Sequence, residues 1–130
     1  MIKAMDKTGD GGFTLLEMLI AITILAVGLL GMAGLQATAI KGNGFGIRNT
    51  EATALIEDKI EGYKNTPYAS ISAGETTESN LGSGRIFTRV NTVQDNTPAT
   101  DMKTITVQVS WTDLMGTHTV SFRTVVSENG

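Results

Sequence analysis

The sequence predicts an α+β fold, a long N-terminal helix whose second half packs on a small antiparallel sheet. Three observations carry this. Residues 13–35 form an apolar run from Phe13 to Leu35. Further on, Ala52, Leu55, Ile56, Ile60 and Tyr63 recur at helical spacing, and no proline separates the two stretches. Beyond Arg85 the pattern changes to alternation, as in Ile105, Val107, Val109 and Trp111 against Thr104, Thr106, Gln108 and Ser110, which is the period of a half-buried strand.

Taken in order, Met1–Gly12 is short and polar, holds Lys3, Asp6, Lys7 and Asp10, and shows no apolar period. Two lysines ahead of an apolar run place this end on the cytoplasmic side of a membrane and everything after the run outside. The run itself has 23 residues. As a helix it extends about 34 Å, enough for a hydrocarbon core of about 30 Å. Between Asp10 and Lys41 the single formal charge is Glu17. An acid at mid-bilayer costs on the order of 3 kcal/mol, so Glu17 calls for an explanation.

Residues 36–64 continue the helix as an amphipathic stripe, with Glu57 and Glu61 an i,i+4 like-charge pair expected in solvent. Gly42, Gly44 and Gly46 interrupt the helical signal just before it. Each costs about 1 kcal/mol relative to Ala, so the helix is expected either to fray there or to approach another backbone closely. Asn65-Thr-Pro-Tyr68 ends the helix. Residues 65–84, rich in Ser, Thr, Gly, Glu and Asn, read as a surface loop, and Pro98 marks a second loop. Residues 85–127 read as antiparallel strands: Arg85–Gln94, then Thr104–Thr112 and Thr117–Ser127 joined at Asp113-Leu-Met-Gly116. In the last, Val120, Phe122 and Val126 are expected to face the helix, and Trp111 to anchor the core.

Composition removes several functions. The chain has 130 residues, a net charge of −3 and no cysteine. Disulfides and thiolate chemistry are excluded, and no clustered basic face suggests nucleic acid. His118 is the single histidine and sits in a predicted strand, with no second histidine or cysteine to complete a zinc site. The acids are not spaced for a calcium loop or a catalytic pair. No cofactor, no metal and no catalytic residue is expected, and the chain reads as a non-enzyme.

The N-terminal segment admits three readings. As a secretory signal it would be cut after Ala39, in Ala37-Thr-Ala39, and release a soluble binding module starting at Ile40. The apolar run is longer than the usual signal core of about 7–15 residues, and a glutamate inside it is out of place. As a plain membrane anchor it leaves Glu17 unexplained. The third reading rests on Gly12-Phe-Thr-Leu-Leu-Glu17 ahead of the long apolar run, which resembles the leader junction of type IV prepilins and type II secretion pseudopilins. Leu29-Leu-Gly-Met-Ala-Gly-Leu-Gln36 and the Ile105–Trp111 strand also resemble the minor pilins called type IV pilus modification proteins.

The resemblance implies a pilin-like fold divided into a cleaved leader (1–12), a transmembrane and filament-core helix (13–35) and an extracytoplasmic head (36–130). It implies that a prepilin peptidase cuts between Gly12 and Phe13, that Phe13 becomes N-methylated, and that Glu17 pairs with the amine of a neighbouring subunit during filament assembly. A charge in lipid is tolerable mainly when it meets an opposite one. The implied partners are other pilin subunits, the peptidase and the inner-membrane assembly machinery. Two departures stand out. Gly28, Gly31 and Gly34 occupy the region where many pilins have proline, and the disulfide loop of major pilins is impossible without cysteine. The second departure favours a minor subunit of a type IV pilus, with a minor pseudopilin of a type II secretion system as the alternative.

Overall fold

The computed structural model describes residues 11–128, which fall into two compact units divided between Gly42 and Asn43. One helix, α1 (Leu15–Lys64), runs from the first unit into the second. Then come a 3-10 turn at Tyr68–Ser70, β1 (Gly74–Leu81), a second 3-10 turn at Ser83–Arg85, β2 (Phe87–Asp95), β3 (Met102–Asp113) and β4 (Gly116–Ser127). The strands form one four-stranded antiparallel sheet in the order β1-β2-β3-β4. This is the α+β, pilin-like layout expected.

In the first unit, the large apolar residues from Phe13 to Ile40 are all exposed. The helix is long and apolar enough to cross a membrane by length and composition.

The second unit holds the core. Ala52, Ile56 and Ile60 are buried on the inner face of α1, with Leu55 and Tyr63 partly buried beside them, as the stripe predicts. Against them pack Phe87 and Val93 of β2, Ile105, Val107, Val109 and Trp111 of β3, and Ile71 from the connection. Each fully buried branched side chain contributes roughly 1.5–3 kcal/mol. The register aligns rows across the sheet: Leu81 opposite Phe87, Glu78 opposite Arg89 opposite Val109, Thr76 opposite Asn91 opposite Val107. The Phe87 and Trp111 rings lie 5.6 Å apart.

Three expectations need correction. Residues 65–84, expected as a surface loop, contain β1. The strand escapes an apolar reading because its inner positions are polar and are satisfied by polar partners on β2, as described below. Second, α1 continues unbroken through Gly42, Gly44 and Gly46, and a Cβ placed at any of them would meet nothing within 4 Å. Neither fraying nor close approach occurs. The Phe45 ring, 6.2 Å from Trp111 and 5.1 Å from His118, ties this glycine stretch to the sheet. Third, Phe122 sits opposite Val107, on the helix side, yet it is 53% exposed. Val120 and Val126 are only partly buried, so β4 lies at the margin of the core, which is centred on β2 and β3.

Candidate functional site

The N-terminal motif opens the helix. Gly12, Phe13 and Thr14 precede α1 in non-helical conformation. The Thr14 hydroxyl accepts a hydrogen bond from the Glu17 amide at 3.1 Å, and the Thr14 carbonyl accepts from the Met18 amide at 3.1 Å. Thr14 is therefore an N-cap, contributing about 1 kcal/mol to the helix end. Thr14-Leu-Leu-Glu17 has the threonine-x-x-glutamate spacing of a capping box. Glu17 contributes its backbone amide to this cap. It stands in the first turn, facing the positive end of the helix dipole. The sequence between Asp10 and Lys41 offers it no cation, so any full counter-charge must come from elsewhere. Phe13 is 79% exposed, immediately before the cap.

The second unit carries two polar clusters that periodicity could not reveal. In the first, Arg89, only 7% exposed, donates from Nε to Glu78 Oε2 at 2.7 Å and from a terminal nitrogen to the Leu55 carbonyl of α1 at 2.7 Å. Asn91 Nδ2 donates to Glu78 Oε2 at 2.9 Å and to Thr76 Oγ1 at 3.2 Å, and Lys59 Nζ donates to Glu78 Oε1 at 3.0 Å. The hydrogen bond from Arg89 lowers the Glu78 pKa from 4.5 to about 2, against an opposing desolvation and with help from Asn91 and Lys59. This network docks the helix on β1 and β2. It also explains why β1 lacks an apolar face.

In the second cluster, Asp113 Oδ1 accepts from His118 Nε2 at 3.0 Å and from the Met115 amide at 2.8 Å, while Oδ2 accepts from Arg48 at 2.9 Å. These bonds, led by that of His118, hold the Asp113 carboxyl below the usual carboxylate range. His118 is half-buried between this carboxylate and the rings of Phe45 and Trp111. Trp111 is a core residue as expected. Both clusters have the form of structural ties: Glu78 and Asp113 are each committed to three donors. Among the described residues no group of three or more His, Asp or Glu side chains is placed to hold a metal ion.

Residues 7–33 match the family model of the prokaryotic N-terminal methylation motif. The chain thus carries a prepilin-type leader motif opening into an apolar helix. No curated protein and no solved structure matches it significantly.

Proposed function

We propose that the protein is a minor pilin. A prepilin peptidase cuts it between Gly12 and Phe13, Phe13 is N-methylated, and the mature chain enters a type IV pilus as a structural, non-enzymatic subunit. Before assembly it is a single-pass inner-membrane protein with a cytoplasmic N-terminus and the 36–130 head outside, and it works with the peptidase, the assembly machinery and other pilin subunits. The observation that carries this reading is the methylation motif at residues 7–33, which opens into an apolar helix with one acid in its first turn. In a bundle of such helices, the Glu17 carboxylate of one subunit meets the N-methylated amine of its neighbour, removing two uncompensated charges from an apolar interior. A cysteine-free head favours a minor subunit that primes or modifies assembly over a major one. The unbroken helix through Ala37-Thr-Ala39 gives no support to release after Ala39.

The test is intact mass with N-terminal analysis of the membrane-fraction protein. The expected product begins at Phe13 and carries one added methyl group. A product beginning at Ile40 would overturn the reading in favour of a secreted module, and a chain still beginning at Met1 in a peptidase-competent cell would reduce it to a plain anchor. Recovery with sheared pili separates a pilus subunit from a secretion pseudopilin.

A further inference from the structure

Two strand connections and the start of a helix meet at one end of the head. Leu81 is opposite Phe87, Thr88 opposite Ser110 and Trp111 opposite His118, so the Gly82–Ile86 connection and the Leu114–Met115 turn share an end of the sheet. Phe45 packs on Trp111 and His118, and Arg48 bonds Asp113 at 2.9 Å, so the helix of the second unit starts at that same end. Among the described residues the second unit exposes seven large apolar side chains, and five of them, Phe45, Ile47, Ile86, Leu114 and Met115, gather here. The acids Glu51 and Asp113 at this end are bonded within the head, Glu51 to the Ser83 amide and Asp113 to Arg48, His118 and the Met115 amide. The opposite end is the reverse: the Asn96–Asp101 connection has no large apolar side chain and places Asp101 beside Asp95, both exposed.

The Leu114–Met115 turn is the most exposed part of the apolar end. Turns are ordinarily built from Gly, Pro, Asn, Asp and Ser. Here Leu114 is fully exposed and Met115 is 68% exposed. The Asp113 carboxylate accepts a hydrogen bond from the Met115 amide at 2.8 Å, so that donor takes no unmet hydrogen bond into an apolar medium. The chain enters this unit at Asn43. Asn43 is eight residues beyond Leu35, where the apolar run ends, and three beyond Ile40, the last residue before Lys41 restores charge. Along a helix those intervals are about 12 Å and about 4.5 Å, against a headgroup layer roughly 5–7 Å deep on each side of a bilayer. The nearness of this end to a spanned membrane follows from the length of chain alone.

We propose that this end of the head rests on the bilayer that the apolar run spans, with the Leu114–Met115 turn inserted among the headgroups and first acyl carbons. Lipid is the occupant that the distribution selects. Exposed apolar side chains crowd the end tethered to an apolar helix and are missing from the Asn96–Asp101 end, and the acids beside them are already bonded. Large apolar side chains of this kind bury in the boundary between headgroups and acyl chains without a shaped partner, in proportion to their apolar area. A turn fixed at its base by the bonds to Asp113 loses little conformational freedom on insertion. The contact requires the membrane anchor of the function proposed above, and neither leader cleavage nor pilus entry.

The cysteine-free chain accepts a single thiol-linked fluorophore at a chosen position. The full-length protein is placed in phosphatidylethanolamine–phosphatidylglycerol vesicles, and quenching by a nitroxide-bearing lipid and by aqueous iodide is measured in turn. The lipid quencher is expected to act several-fold more strongly on Leu114→Cys than on Ala99→Cys in the opposite connection, and iodide the reverse. Equal lipid quenching at the two positions would overturn the proposal. Protection of Leu114→Cys from both quenchers would also overturn it, in favour of a second copy covering the turn. With the fluorophore on Ile86→Cys, adding Leu114→Asn and Met115→Gln should lower lipid quenching several-fold, and an unchanged value would count against insertion of the turn. All these positions are exposed, so folding is preserved. Leu25→Cys reads the span separately. Absence of lipid quenching there removes the membrane anchor and this contact together, whereas quenching there without quenching at Leu114→Cys removes the contact alone.

Discussion

The first half of α1, up to Gly42, is predominantly apolar and has none of its large apolar side chains buried, whereas the second half, from Asn43, buries Ala52, Ile56 and Ile60 in a stripe covered by β2 and β3. Both are stretches of one helix, yet the second half finds its partners within the chain and the first must find them outside it. A helix that is apolar all round is stable only in lipid or among other helices. The difference therefore assigns the second half to the stability of the head, and under the proposed function it leaves the first half to the membrane and the filament.

That division can be broken by substitution. The largest effect is expected at Glu17. Glu17→Ala should leave leader cleavage and the mature mass intact while lowering recovery in sheared filaments by at least about tenfold, since a buried amine is left unpaired. Normal incorporation would show the acid to be dispensable for assembly. In the second half, Ile56→Ala should cost the head about 3 kcal/mol by opening a core cavity, with leader processing unchanged. Denaturant unfolding of the full chain in detergent, followed through the single tryptophan, Trp111, reads this directly. A loss confined to processing, with unchanged unfolding, would reverse the assignment.

A smaller effect sharpens the same contrast. Glu78 has its folded-state pKa lowered from 4.5 to about 2. Its stabilising contribution is therefore fully present above 4.5 and is lost as pH falls toward 2. Unfolding midpoints of the head should decline across that window, and Glu78→Gln should flatten the decline while lowering stability near neutrality. An unchanged slope in the variant would remove Glu78 as its source.

The features visible in the sequence were those repeated along it. The apolar run, the Ala52–Tyr63 stripe and the Ile105–Trp111 alternation are periodic, and period reports which face is buried. β1 had no such signal, because Thr76 and Glu78 face Asn91 and Arg89, and a strand stabilised by polar bonds carries no apolar alternation. The tie of Arg48 to Asp113 joins residues 65 apart, a distance no local pattern spans. Phe122 had the correct parity for burial; its exposure depends on the width of the sheet relative to its cover, which is a tertiary property. At the leader, the Thr14 cap lies inside the same few residues as the leader junction, so the two signals overlap in sequence.

The bond from Arg89 to the Leu55 carbonyl has a mechanical consequence. A stripe of alanine and isoleucine is slippery, because packing alone permits a helix to roll or creep by a fraction of a turn at modest cost. A guanidinium bonded to one chosen carbonyl acts as a detent, fixing both the phase and the axial setting of residues 43–64 on the sheet. Tension drawn along that helix is then resisted by a directional bond as well as by contact area, as befits a segment that joins a membrane-type helix to a folded head.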